Sequence, residues 1–167
     1  MSCRTPRVPK LRLVTISVGE KAPEFSLPGT SGKDYALSDY RSQVVVLVFY
    51  PGDNTPVCTK QLNAYTSDIG EFTEVGAQIL AISPQNVESH EGFATKQGGF
   101  AFPLLADTDK KVGEAYGILG PLGFYRRSVF VVDGEGMVRY AHRAVAGLTF
   151  RPSTELVNAV KSAQSPA

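Results

Sequence analysis

An α/β fold built on a central sheet is what this sequence predicts, and three observations carry the prediction. The run Val44-Val45-Val46-Leu47-Val48-Phe49 is unbroken in apolar residues, as a strand covered on both faces requires. Cys58, Leu62, Tyr65, Ile69 and Phe72 follow at steps of four, three, four and three, which places them on one face of a helix that packs on that strand. Asp133-Gly134-Glu135-Gly136 lies between two further strand segments, 127–133 and 137–142, as the turn of a hairpin.

In chain order, a pair of short strands is expected around Gly32, followed by the strand at 44–49. Thr55 reads as an N-cap and Pro56 as the first residue of a helix that runs to about Val75. Gln78-Ile79-Leu80-Ala81-Ile82 is the next strand, stopped by Ser83-Pro84. A helix near 86–97, a short strand at 102–105 and a helix from Thr108 ended by Gly117 follow. After the hairpin, a last helix begins near Pro152-Ser153. Strand–helix–strand followed by a hairpin and a helix is the thioredoxin-like arrangement, a central mixed sheet flanked by helices, here with an N-terminal strand pair. Gly117-Ile118-Leu119-Gly120-Pro121-Leu122-Gly123 neither follows a strand nor opens a helix, and is a loop rather than a nucleotide fingerprint.

Length and composition agree with one such domain, assigned to residues 18–167. A chain of 167 residues with 43% apolar and 20% charged residues buries a sizeable core. A net charge of +1 gives no reason to invoke nucleic acid or a membrane surface, and no long apolar span is present. Residues 1–17 form an N-terminal extension expected to be poorly ordered. It carries Arg4, Arg7, Lys10 and Arg12 with no acid among its first residues, lacks the apolar stretch of a secretory signal and is short for a transit peptide. A start-site extension ahead of a native beginning near Val14 is the other reading. Two cysteines, one of them in this tail, do not make a disulfide scaffold and suit a reducing cytoplasm.

The most informative segment is Phe49-Tyr50-Pro51-Gly52-Asp53-Asn54-Thr55-Pro56-Val57-Cys58-Thr59-Lys60, because it delivers a cysteine to the first turn of a helix directly after a buried strand. Unpaired N–H groups and the positive end of the helix dipole there favour a thiolate over a thiol. Position alone leaves two readings open, a reactive thiol and a small buried hydrophobe. A nearby arginine would tip the balance toward reaction. Arg127, in Arg126-Arg127-Ser128-Val129-Phe130, precedes another apolar strand whose start could lie beside the Cys58 turn, although two adjacent arginines also suit a solvated strand start. His90 and His142 are the only histidines, a poor metal set with one core cysteine. A Cys–His hydrolase, with Cys58 as nucleophile and His142 as base, is the rival enzyme class. No Cys-x-x-Cys is present to support disulfide exchange.

Pro51, Thr55 and Cys58 match the Pro-x-x-x-Thr-x-x-Cys signature of peroxiredoxins, and the surrounding residues resemble the bacterioferritin comigratory protein or peroxiredoxin Q branch. The likeness continues through Val18-Gly19-Glu20-Lys21-Ala22-Pro23-Glu24-Phe25, Phe102-Pro103-Leu104-Leu105-Ala106-Asp107 and Arg127-Ser128-Val129-Phe130-Val131-Val132-Asp133, in the family's order. The resemblance implies a thiol peroxidase in which Cys58 attacks hydrogen peroxide or a small organic hydroperoxide and becomes a sulfenic acid, with no metal or organic cofactor. It implies that the Cys58 backbone N–H, the Thr55 hydroxyl and the Arg127 guanidinium stabilise the developing charge. The Thr55 hydroxyl would both cap the helix and donate to the peroxide or the sulfur, and Pro51 would shape the loop and keep water from the sulfur.

The chain departs from that pattern at three positions. Asn63 stands where many members of the branch have a resolving cysteine, five residues after Cys58, and Val57 and Gln61 stand where glycine and glutamate are frequent, so a narrower, less acidic pocket mouth is expected. The sulfenic acid must then be reduced from outside, by thioredoxin, glutaredoxin or a low-molecular-weight thiol, or by Cys3. The expected enzyme is a cytoplasmic monomer or weak homodimer. The non-enzyme alternative is a redox sensor or binding module of the same fold that holds Cys58 sulfenic acid without turnover.

Overall fold

The computed structural model describes residues 15–145 and 149–164. Cys3 and the rest of residues 1–14, on which most of the expected extension falls, lie outside the described residues. The segment just ahead of residue 18 also touches the core. Ile16 is buried against the core, and its carbonyl accepts a hydrogen bond from Arg143 Nη2 at 2.8 Å.

Seven strands form one mixed sheet: β1 (Ser26–Gly29), β2 (Lys33–Ala36), β3 (Val44–Phe49), β4 (Ala77–Ser83), β5 (Leu104–Ala106), β6 (Ser128–Val132) and β7 (Val138–Arg143). Their order is β2-β1-β5-β4-β3-β6-β7. β3, β4 and β5 run parallel at the centre, while β6 and β7 on one side and β1 and β2 on the other are antiparallel. All six β3 residues are buried, as the unbroken apolar run requires. Their alternation splits the core. Val44, Val46 and Val48 face a cluster with Cys58, Leu62 and Tyr65 of α1 (Pro56–Ser67), Phe72 of α2 (Ile69–Glu74), Phe93 of α3 (Val87–Lys96) and Leu156 and Val160 of α5 (Ser153–Gln164). Val45, Leu47 and Phe49 face a second cluster with Val112 of α4 (Lys111–Ala115), Tyr116, Tyr125, Phe130 and the N-terminal segment.

Three elements differ from the sequence reading, each for a local reason. The helix expected to reach Val75 divides at Asp68, which sits at φ −95°, ψ 12°; Asp68 and Gly70 are weak helix formers. The helix expected from Thr108 starts only at Lys111, because Asp107 takes the N–H groups of Val112 (3.2 Å) and Gly113 (2.8 Å) and Lys110 adopts a left-handed φ of 60°. The strand expected at 102–105 is β5 at Leu104–Ala106, since Pro103 has no N–H to give to a ladder. The hairpin signal is realised as the turn from β6 to β7, with Asp133 Oδ1 accepting from Glu135 and Met137 N–H and Gly136 at φ 85°.

Candidate active site

The sheet register brings three separated segments to one place. β3 pairs antiparallel with β6, with Phe49 opposite Ser128, so the residue before β6 lies beside the end of β3, where the chain turns toward α1. Arg127 shares the parity of Val129 and Val131, which belong to the cluster under α1. Its side chain therefore turns inward, and Arg127 is only 4% exposed, whereas Arg126 faces solvent. Cys58, at the third position of α1, is fully buried, and Arg127 Nη2 donates to its Sγ at 3.2 Å. A full positive charge thus meets the sulfur in a region shielded from water, where charge-assisted hydrogen bonds are strong.

Gln61 completes the arrangement and was not foreseen in this role. It does not stand at a pocket mouth. It is fully buried, its Oε1 accepts from Arg127 Nη1, and its Nε2 donates to Tyr65 Oη at 3.4 Å. Burial pushes Tyr65 up to about 12, so the phenol keeps its proton and donates to the Arg151 carbonyl at 2.6 Å. The spacing carried a signal: Gln61 is three residues after Cys58, hence a neighbour on the same helix face.

Thr55 and Pro51 lie in the loop that leads from β3 into α1. Thr55 has the extended backbone of an N-cap and Pro56 follows as the first helical residue, but the Thr55 hydroxyl accepts no capping bond. It donates instead to the Gly52 carbonyl at 3.2 Å, bracing the loop, while its own carbonyl accepts from Thr59 N at 2.9 Å and Thr59 Oγ1 at 2.7 Å. The expectation that this hydroxyl caps α1 is corrected: Thr59 Oγ1 and the Gly52 carbonyl occupy the local polar groups. Pro51 is half-buried where the loop leaves β3.

A guanidinium has no acceptor nitrogen and keeps its proton, so the Sγ contact is not a nucleophile–base pair of the Cys–His type. His90 is engaged elsewhere, by Asp53 and the Leu105 carbonyl. His142 lies on β7 opposite Val129, held below its ordinary range by burial and then by Arg151. Asn63 ties α1 to the end of α3, donating to Gln97 Oε1 at 2.9 Å. Among the described residues, no group of three or more His, Cys, Asp or Glu side chains is placed to hold a metal ion, and no helix is long and apolar enough to cross a membrane.

The profile of the AhpC/TSA family matches residues 18–141. The chain belongs to that family and is a peroxiredoxin. This peroxiredoxin is 37% identical over 131 residues to peroxiredoxin Bcp of Bacillus subtilis, covering 74% of the chain and 82% of the relative. Among solved structures it is similar to peroxiredoxin Q of Xanthomonas campestris, with a TM-score of 0.73 and 33% identity over 83% of this chain and 90% of that one. The bacterioferritin comigratory protein of the same bacterium, studied for its alkyl peroxide reduction in trapped intermediate and ligand complexes, is 32% identical at the same TM-score and coverage. The branch named from the sequence and the thioredoxin-like fold are thus both established, and the protein is a thiol-dependent peroxidase.

Proposed function

We propose that Cys58 is the peroxide-reacting residue of this peroxidase, that Arg127 supports it, and that turnover follows a one-cysteine course with an external thiol. The observation that carries the reading is the buried contact of Arg127 Nη2 with Cys58 Sγ in the first turn of α1. The Cys58 thiolate attacks one peroxide oxygen: an S–O bond forms, the O–O bond breaks, and two electrons pass from sulfur to peroxide. The departing alkoxide or hydroxide takes up a proton and leaves as alcohol or water. An outside thiol then condenses with the sulfenic acid to a mixed disulfide and water, and a second thiol breaks that S–S bond to restore Cys58. Arg127 and the α1 N–H groups stabilise charge at both sulfur and leaving oxygen. Pro51 and Thr55 hold the loop that shields them. The substrate is hydrogen peroxide or an organic hydroperoxide, the latter supported by the likeness to the Xanthomonas protein. The reductant is thioredoxin, glutaredoxin or a small thiol in a reducing cytoplasm, and the enzyme acts as a monomer or weak homodimer.

The test is steady-state peroxide consumption with each thiol donor in turn, for wild type and for Cys3→Ser. Sustained turnover with at least one donor, retained in Cys3→Ser, is expected, and excess peroxide should drive Cys58 to sulfinic acid because no partner cysteine on α1 intercepts the sulfenic acid. A single stoichiometric oxidation without turnover would mean a sensor. Loss of thioredoxin-dependent turnover in Cys3→Ser would make the tail cysteine the resolving residue.

Gln61 gives a second prediction. Gln61→Leu keeps the volume but leaves the buried Arg127 Nη1 without its amide oxygen, a loss of about 1–3 kcal/mol at that donor, so the guanidinium shifts and the peroxide step slows by about tenfold. Gln61→Glu keeps an acceptor and should retain most of the rate. Rapid-quench oxidation rates compare the two, and equal rates in both variants would contradict the assignment.

A further inference from the structure

A buried histidine–aspartate pair ties the cysteine loop to α3 and takes no part in the chemistry above. His90, on α3, and Asp53, in the loop between β3 and α1, have side chains 0% and 1% exposed. His90 Nδ1 meets Asp53 Oδ2 at 2.8 Å, and its Nε2 meets the Leu105 carbonyl at 2.9 Å. Two further donors converge on the same carboxylate, Tyr50 Oη on Oδ1 and Ser89 Oγ on Oδ2, each at 2.7 Å. The Asp53 N–H donates to Gln85 Oε1 at 2.8 Å. Burial acts to raise Asp53, but the bonds from His90, Tyr50 and Ser89 outweigh it and hold the carboxyl below its ordinary range. Tyr50 is raised well above its own range, by burial and then by Asp53, and remains a phenol donor.

This network reaches the sulfur from two directions. Tyr50 packs in the same core cluster as Cys58, close enough for charge on the sulfur to act on its phenol. Asp53 lies two residues before Thr55, the N-cap of α1, so the loop that sets the start of α1 is fastened to α3 and β5 through Asp53. Closure of that loop has opposite consequences for the two half-reactions. Cys58 contacts Arg127, which the peroxide step needs, and is fully buried, which obstructs any thiol larger than a peroxide.

We propose that the Asp53–His90 pair is a latch that positions the Cys58 loop, so that its loss slows oxidation of Cys58 by peroxide and speeds reduction of oxidised Cys58 by an external thiol. The inference rests on Cys58 being the residue that peroxide oxidises. Asp53 and His90 are positioning residues, since they act on the sulfur through the loop backbone and Tyr50.

The two half-reactions are measured separately by rapid quench and intact mass on the full chain, with hydrogen peroxide as oxidant and 2-mercaptoethanol as thiol, in wild type, Asp53→Asn and His90→Gln. Ser89→Ala, which removes only one hydroxyl donor from the carboxylate, is the mild variant for the case that the other two fail to fold. Amide exchange over residues 51–59 is followed alongside. The expected result is a peroxide step slower by about 10–10²-fold, as for a displaced reacting group, a faster thiol step, and faster exchange over 51–59, with the same pattern at smaller size in Ser89→Ala. Thermal unfolding is measured alongside: the opposite changes in a variant whose unfolding midpoint stays near wild type support the latch, and their appearance only in variants whose whole fold is weakened would overturn it. Parallel change of the two half-reactions, or no change in either, would overturn the latch. If peroxide leaves wild-type Cys58 unoxidised, the peroxidase assignment of Cys58 fails instead, and that control is read first.

Discussion

Cys58→Ser is expected to reduce peroxide consumption to the uncatalysed background in the presence of any thiol donor. The argument is chemical rather than steric. A serine hydroxyl is far less acidic than a thiol, and arginine supplies no base to deprotonate it, so the α1 N–H groups and Arg127 would surround a group that stays neutral and unreactive. Folding should survive, because the serine oxygen still accepts from Arg127 Nη2 and the side chain is close in size to cysteine. Circular dichroism and thermal unfolding near wild type, with peroxide consumption at background, is the predicted pair of results. Thiol-dependent turnover persisting well above background would place the reacting group elsewhere in the chain.

Arg127→Ala carries the next largest effect. Removing one preorganised charged donor from a developing anion costs roughly 10²–10³-fold in rate, and here the same guanidinium faces the attacking sulfur. Arg127→Lys should recover part of that rate only. A lysine ammonium is a point charge on a flexible stem and does not reproduce the fork that spans Cys58 Sγ and Gln61 Oε1. Arg126→Ala should leave the peroxide step nearly unchanged, since that side chain points to solvent. Single-turnover oxidation of reduced protein reads all three. Equal losses at Arg126 and Arg127 would show that general positive charge, rather than this contact, matters.

Much of this arrangement was legible in the sequence. The unbroken run of β3 and the stepped apolar face of α1 are local patterns with one physical solution, and Thr55-Pro56 marked the start of the helix within a residue. The proximity of Arg127 to Cys58 was suggested by resemblance and by the strand that follows it, but the contact depends on the antiparallel β3–β6 register, which no local pattern encodes. Gln61 was read as a feature of the pocket mouth because it stands where glutamate is frequent in the branch; its burial follows from the helix face it shares with Cys58 and from Arg127 arriving from a distant strand. Thr55 shows the limit of cap reasoning, since the backbone adopted the cap while the hydroxyl found a nearer carbonyl. The Asp53–His90 pair was invisible for the same reason as the arginine contact: its members are 37 residues apart and meet only when α3 packs against the loop after β3.

The most direct measurement of the central claim is peptide mapping of the reduced protein after an equimolar addition of hydrogen peroxide, quenched with a reagent that traps sulfenic acid. One oxygen atom on Cys58, with Cys3 still a free thiol, is the predicted product. A stoichiometric Cys3–Cys58 disulfide, or oxidation that leaves Cys58 as a thiol, would contradict the one-cysteine mechanism at the Cys58–Arg127 centre.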